Sequence, residues 1–594
     1  MKPSFFAFAG RLIALLSVLA APSCAAENQT PQGVLIEAEA KPVAGDRKVL
    51  LADGASGSAV SSEREWQPLF SAPPPLLDAN QQVDGQAANA WTIWIRHKNG
   101  PLLLKAADQN GQRDLQWIRD APADWKWTPA GTYAPDQLGD QILVIHGPKQ
   151  DKPQPLLDAI IFAPAVIKTL PPFEPDAKLA PLTVEAKVDW TRKVATVKPT
   201  LWGVNDYEIL DPKTAADPKY QAWLAQIKTP LVRIHSGGIS DAWTNKETHQ
   251  WDVEKIRAGF ANSSGLKGAK KMLNIAHWPA WLSDQSTLTP AQETQWADSI
   301  ADLVRLMRDD LKIPIDYWEL SNELDGTYEK EGKLDDLWRL FNKLAAAVRK
   351  ANPTAKIGGP AFTWPKAQWL EGFFKNCGQN VDFVTWHNYA SGDINDSNEL
   401  VLSKSEVIAG MAKSVQEAAA KWAPGRKLEF FLDEYNIKWV WEPIERRHGN
   451  NIGALFQAST LRHLAPLQLD GVAVWHAKGS AYGLVDADDT VRATGHLYEW
   501  GTQFLVGDLM TENSSDQAAL EILPIVRANG GRSLLLLCKA NRSVIVPNGA
   551  ALLGEKPTHI RRIDANGLHD AVEMPANGDW TLPGYSLTLI TSGD

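Results

Sequence analysis

The chain has 594 residues, with 60 Lys and Arg against 70 Asp and Glu, a formal net charge of -10 and no long basic run. Its surface is therefore not built to neutralise nucleic-acid phosphates, and at 22% charged and 44% hydrophobic residues wholesale disorder is excluded. Three cysteines are too few for a disulfide framework, and the length suits three or four domains at about 150 residues each.

The N-terminus reads as an export signal. Lys2 and Arg11 precede an apolar run from Leu12 to Ala21, and the small residues Ser23-Cys24-Ala25-Ala26 follow. That pattern predicts a signal peptide over residues 1–26, cut after Ala26, and hence a secreted or periplasmic protein. A lipid anchor on Cys24 is the weaker alternative, since Pro22 and Ser23 are a poor context for lipid attachment. No other stretch holds the roughly 18 apolar residues of a membrane span. Cys377 and Cys538 lie far apart and read as unpaired buried thiols.

Residues 27–165 read as short strands between turn clusters. Val34-Leu35-Ile36-Glu37-Ala38-Glu39, Trp91–Arg96 and Gln141–Ile145 are such strands, the pattern of an antiparallel β-sandwich. Residues 166–198 form a joint. They open with a Pro-rich linker through Leu170-Pro171-Pro172-Phe173-Glu174-Pro175. They close with a segment, Val188 to Val197, that could add strands to a C-terminal sandwich.

From 199 to 504 the rhythm becomes strand, loop, helix. Eight short apolar strands are expected at Leu201–Val204, Leu231–Ile234, Met272–Ala276, Tyr317–Leu320, Lys356–Gly359, Phe383–Trp386, Phe430–Leu432 and Val472–Trp475. Between them lie amphipathic helices. One opens on Thr289-Pro290-Ala291-Gln292, a capping box with proline at the first helical position, and carries a stripe of Trp296, Ile300, Leu303 and Met307. Eight alternations over about 300 residues predict an α/β fold, a (β/α)8 TIM barrel. An open doubly wound sheet competes less well, because no Gly-rich phosphate loop follows the first strand. Residues 505–594 return to strands and predict a C-terminal antiparallel β-sandwich.

In such barrels chemistry sits at the C-terminal ends of the strands. The fourth strand ends Trp318-Glu319-Leu320-Ser321-Asn322-Glu323 and the seventh Phe431-Leu432-Asp433-Glu434-Tyr435-Asn436. Two opposed carboxyls about 5–5.5 Å apart are what retaining glycoside hydrolysis requires. Strand alternation puts Asp433 and Glu434 on opposite sides, so only one is expected to aim at the pocket.

These words resemble the clan A glycoside hydrolases, (β/α)8 enzymes with the acid/base after Asn on strand four and the nucleophile on strand seven. The closest resemblance is to the β-xylosidase and α-L-iduronidase family, family thirty-nine, over residues 186 to 594. Some similarity extends to the arabinofuranosidase family, whose nucleophile lies in an Asp-Glu-Trp-Asn setting. The resemblance implies Glu323 as acid/base and Glu434 as nucleophile. It also implies Arg233 as the strand-two arginine bracing the nucleophile, His387 and Tyr389 as the strand-six element, and Trp475 as the aromatic floor at strand eight. Asn322 is then placed to hold the sugar 2-hydroxyl. Glu434 is expected to be ionised, and its charge to raise the pKa of Glu323.

His235, His277, His387 and His476 lie near strand ends, but no two share a ligand spacing such as His-x-x-x-His. Sugar hydrogen bonding, by His277 and His387 in particular, or packing is favoured over a metal site. Of the 25 tryptophans, Trp278, Trp281, Trp364, Trp386, Trp439, Trp441 and Trp475 fall in or beside the barrel mouth. Those in loops suit sugar faces and those within strands suit core. Lys478 reads as a solvated lysine rather than a partner for an acidic sugar.

The N-terminal sandwich resembles carbohydrate-binding modules, which implies a structural calcium through Glu37, Glu39 and Asp158; Trp117, Trp125 and Trp127 are candidate sugar platforms there. Taken together, the sequence is expected to encode a secreted retaining glycosidase. Its partner is a polysaccharide or oligosaccharide, its catalysis needs no cofactor, and it has neither a nucleic-acid partner nor a membrane span. An α-L-arabinofuranosidase on the same scaffold, or a non-catalytic carbohydrate-binding surface protein, is the alternative.

Overall fold

The computed structural model describes residues 34–593 except 38–46, 51–58, 63–67, 73–81, 84–85, 88–89, 109–110, 120–121, 148–154, 165–179, 207–213, 215, 236–237, 262–265, 395, 442–443 and 577. The predicted signal peptide with Cys24, the residue Glu39 and most of the Pro-rich linker lie outside the described residues.

At the centre is a closed barrel of eight parallel strands in sequence order. They run Gly203–Asn205, Leu231–Ile234, Lys270–Asn274, Tyr317–Glu319, Lys356–Phe362, Phe383–Ser391, Glu429–Lys438 and Gly471–Val474, so every predicted strand is present, and strands five to seven extend beyond their expected C-terminal ends. Closure needs the first and last strands to approach closely. Gly203 permits it, since a Cβ there would meet the Val472 carbonyl oxygen at 2.6 Å. The helix Pro290–Arg305 begins at Thr289, whose Oγ1 accepts from the Gln292 amide while the Gln292 side chain accepts from the Thr289 amide. Its predicted stripe of Trp296, Ile300, Leu303 and Met307 is buried against the strands.

The lower end of the barrel is plugged by Leu231, Met272, Tyr317, Phe383 and Phe431. Tyr317 meets Phe431 and Phe383 edge-on, with ring centroids 4.9 and 5.3 Å apart. This apolar plug keeps the chemistry at the opposite rim. There, strands six and seven are the longest of the eight, with 9 and 10 residues, and pair from Phe383↔Glu429 up to Ser391↔Lys438.

Two sets of antiparallel sheets flank the barrel. Before it, a six-stranded sheet faces a four-stranded one around a core that includes Phe70, Trp91, Ile95 and Phe162. The strand Val34–Glu37 pairs with the closing strand Leu156–Pro164, Glu37 lying opposite Ala159. The side chains of Glu37 and Asp158 are, like Glu39, not among those described. Beyond the barrel, a seven-stranded sheet includes the strand Ala186–Val197, which pairs with Gly507–Ser514. Cys377 and Cys538 are free and buried, and burial pushes their thiols up to about 12 and about 11.

The tryptophans divide by position. Trp202, Trp296 and Trp386 are fully buried, Trp278 and Trp475 nearly so, whereas Trp439 and Trp441 on the loop after strand seven are about half exposed.

Candidate active site

The mouth is organised around one buried arginine. Arg233, on strand two, has no exposed surface and reaches the ends of strands one, four and seven at once. Its Nε donates to Glu319 Oε2 at 2.8 Å and lies 2.9 Å from Asp433 Oδ2. Its Nη1 donates to Asn205 Oδ1 at 3.0 Å and to Glu434 Oε2 at 3.2 Å, and its Nη2 to Asn322 Oδ1 at 2.6 Å. Burial alone would weaken its hold on the proton, but the charges of Glu319, Asp433 and Glu434 outweigh that and raise its pKa. A planar, permanently charged fork is the group suited to this geometry.

Both Asp433 and Glu434 face this arginine, contrary to the alternation expected of a regular strand. The reason is a bulge in strand seven. Leu432 pairs with Trp386 and Glu434 with His387, so Asp433 is an extra residue against strand six. Against strand eight, Leu432 and Tyr435 span the same step as Val472 and Val474. One inserted residue cancels the alternation and turns both carboxyls inward.

The two inward carboxyls differ in environment. Asp433 is 1% exposed, and burial followed by the Glu319 charge pushes its carboxyl well above the usual carboxylate range. Glu319 is equally buried, yet Arg233 overcomes that burial and holds it down to about 2. Glu319 Oε1 and both Asp433 oxygens meet no donor of ordinary hydrogen-bond geometry. A proton retained by Asp433 and shared with Glu319 pairs two of these oxygens, one on each carboxyl, and leaves more of the Arg233 charge for Glu434.

Glu323 lies four residues past the fourth strand, capping the helix Leu324–Lys330 at φ 53°, a left-handed conformation rare outside glycine. Its amide donates to the Ala361 carbonyl at 2.9 Å, which fixes the turn. Its Oε1 lies 2.7 Å from Nδ1 of the fully buried His387, whose Nε2 faces Glu434 Oε2 at 3.6 Å. One polar atom from each of Glu323, His387 and Glu434 falls within a 4.8 Å span. The Arg233 guanidinium bonded to Glu434 places a fixed positive charge beside this set.

Protonation departs from expectation. Burial would raise Glu323, but the His387 hydrogen bond, the His387 charge and Arg233 together hold it below the usual range. Burial would depress His387, but Glu434 and Glu323 lift it above the ordinary histidine value. The Glu434 charge thus acts on the imidazole interposed between the glutamates, and at rest the shared proton sits on that side.

The remaining predicted residues gather around this centre. Tyr389 donates its hydroxyl to Glu434 Oε1 at 2.5 Å, and burial, then the Glu434 charge, keep the phenol protonated. Trp475 packs with Tyr389 and Tyr482 in one aromatic cluster, 9% exposed at its ring. His277 stands exposed at the rim beside Trp278. His387 donates to or accepts from glutamates rather than standing free for a sugar. Lys478 differs from the solvated residue expected: it is 5% exposed and ion-paired to Asp217 at 2.9 Å and to Asp489. Asn205 and Asn274 were not singled out by sequence. Asn274 Nδ2 donates to Glu319 Oε2 at 2.6 Å, and its Oδ1 lies 2.7 Å from His235 Nδ1. A polar residue at a strand end is their only sequence signal.

Residues 287–467, which carry strands four to seven with Glu323 and Glu434, match the model for Glycosyl hydrolases family 39. The chain carries a family-39-like glycoside hydrolase barrel. A "Beta-xylosidase" of Geobacillus stearothermophilus is 27% identical over 141 residues, 22% of this chain and 27% of its own length. A "Heparanase" of Bos taurus is 26% identical over 206 residues, 31% of this chain and 36% of its own. The alignments thus span about a quarter to a third of these curated relatives. The fold is shared with a family-39 β-xylosidase structure from Caulobacter crescentus at TM-score 0.51 and 16% identity, covering 68% of this chain and 99% of that one.

Proposed function

We propose that this protein is a secreted retaining glycoside hydrolase acting on β-linked sugars of a polysaccharide or its oligosaccharides, with xylosides the first class to test and α-L-arabinofuranosides the second. The observation that carries the reading is the placement of Glu323 and Glu434 oxygens within 4.8 Å of each other, with His387 between them. That is the spacing class of double displacement, with no room left for a separate attacking water.

The arrangement supports the following steps. Glu434, oriented by Arg233 and Tyr389, attacks the anomeric carbon while the bond to the leaving oxygen breaks. The proton held by the Glu323–His387 pair passes to that oxygen. Ester formation removes the Glu434 charge, and the pair's affinity for a proton falls with it, so Glu323 stays free as a base. Water then attacks the anomeric carbon, Glu323 takes its proton, and Glu434 leaves as carboxylate. The restored charge returns the pair to its resting state. Asn322 is anchored through Oδ1 on Arg233, which turns its amide N–H2 toward the sugar 2-hydroxyl.

The test is hydrolysis of a panel of aryl β-D-xylosides, β-D-galactosides and α-L-arabinofuranosides, with the product anomer followed by proton NMR. Retention of configuration is expected. An inverted product would overturn the paired-glutamate mechanism, and binding without turnover across the panel and on polysaccharides would favour a carbohydrate-binding surface protein.

A further inference from the structure

The loop that leaves strand seven carries Trp439-Val440-Trp441, exposed by 53%, 40% and 49%. Among the described residues no other aromatic side chain stands as far into solvent. Such a face costs hydration free energy and is normally avoided unless something covers it.

The two rings are held rather than loose. Trp439 lies over the backbone of Gly392, just past strand six, where an added Cβ would come within 2.3 Å of its Cζ2. Any side chain at 392 would push the indole away, so the glycine lets one edge of the ring rest on the backbone. Trp441 meets Tyr482 edge-to-face at 4.8 Å. Tyr482 belongs to the same cluster as Tyr389 and Trp475, and Tyr389 bonds Glu434. Trp441 is therefore joined through Tyr482 to the cluster that reaches Glu434, and Trp439 stands two residues before it on the same loop. At about 3.3 Å per residue, Trp439 stands roughly 16 Å along the chain from Glu434.

We propose that Trp439 and Trp441 form a stacking subsite for a further sugar ring of the substrate chain, outside the ring that lies between the two glutamates. The proposal rests on the glycosidase reading above. A sugar is the occupant that fits, because its apolar ring face suits a flat indole while its hydroxyls remain in water, and because Trp441 is linked through Tyr482 to the cluster around Glu434. The preferred substrate is then a chain of several units rather than a single capped sugar.

The experiment compares the full-length protein with Trp439→Ala, Trp441→Ala and Gly392→Val on 4-nitrophenyl β-D-xyloside, xylobiose and xylohexaose. Each variant is expected to raise KM for the hexaose about tenfold more than for the aryl xyloside, with kcat little altered. Gly392→Val tests the ring's placement without removing it, and thermal melts control for folding. Equal effects on all three substrates, or none, would overturn the subsite. Should the wild type hydrolyse no xyloside, the substrate class fails separately. The subsite is then read by calorimetric titration with soluble arabinoxylan and arabinan, where binding lost in the tryptophan variants supports it and unaltered or absent binding overturns it. Sedimentation velocity adds a last outcome: a dimer that Trp441→Ala dissolves would make the ledge a contact between two copies and refute the proposal.

Discussion

His387 Nδ1 stands 2.7 Å from Glu323 Oε1, and its Nε2 stands 3.6 Å from Glu434 Oε2. One buried imidazole thereby links the two glutamates on which the proposed chemistry depends. Its pKa is lifted above the ordinary value by the negative charge on both sides, against the pull of burial. In the proposed mechanism the leaving group's proton is drawn from this Glu323–His387 pair rather than from an isolated carboxylic acid.

This pairing predicts a pH profile. The alkaline limb of kcat/KM should lie above about 6.5, the ordinary histidine value, because the pair keeps its proton longer than a free imidazole. In His387→Asn only a carboxyl remains to hold that proton, so the limb should move to lower pH and kcat fall about 100-fold. An unmoved limb would place the titrating proton on another group.

Removing the nucleophile gives a chemical signature. Glu434→Ala should abolish turnover, and added azide should restore part of it by attacking the anomeric carbon from the vacated side, yielding a glycosyl azide of inverted configuration. Full activity in this variant would remove Glu434 from the mechanism.

The Asp433–Glu319 pair predicts an asymmetry between two conservative changes. Asp433→Asn keeps a neutral donor in the same shape, so kcat should fall by less than about tenfold. Glu319→Gln removes the charge nearest Arg233 Nε and should cost far more in both activity and thermal stability, about 3–5 kcal/mol for a broken buried ion pair. Infrared difference spectra should show the carbonyl stretch of a protonated carboxyl in the wild type near neutral pH and lose it in Asp433→Asn. Comparable damage from the two variants would mean that Asp433 is ionised.

A fourth prediction concerns the seam between the barrel and the C-terminal sheets. Glu521 is 1% exposed and held by Ser459 Oγ at 2.7 Å, His463 Nε2 at 3.0 Å and Lys539 Nζ. Burial opposes its charge, but His463 and Lys539 bring it down to about 2. A carboxyl depressed in the folded state stabilises fully above its ordinary value of 4.5 and loses that contribution as pH falls toward 2. The linkage is worth about 3 kcal/mol. Denaturant melts of Glu521→Gln should therefore lie below the wild type at pH 6, with the gap closing between about pH 4 and 2. A gap independent of pH would assign the loss to packing.

The eight strands and their order were legible in the sequence because each is a short apolar run and because turn and capping residues punctuate the helices between them. Glu323 and Glu434 could be picked out because barrel strand ends are where side chains converge. The strand-seven bulge was not legible. An inserted residue shows only against its neighbours, so local alternation put Asp433 and Glu434 on opposite faces although both point inward. Nor could sequence place His387 between the glutamates or leave Lys478 buried between two aspartates, since these depend on pairs 64 and 261 positions apart. The sequence by itself determined which residues reach the barrel mouth. Only the tertiary structure decided how protons and charge are shared there, because burial and the contacts of one arginine with three other strand ends exist only once the barrel has closed.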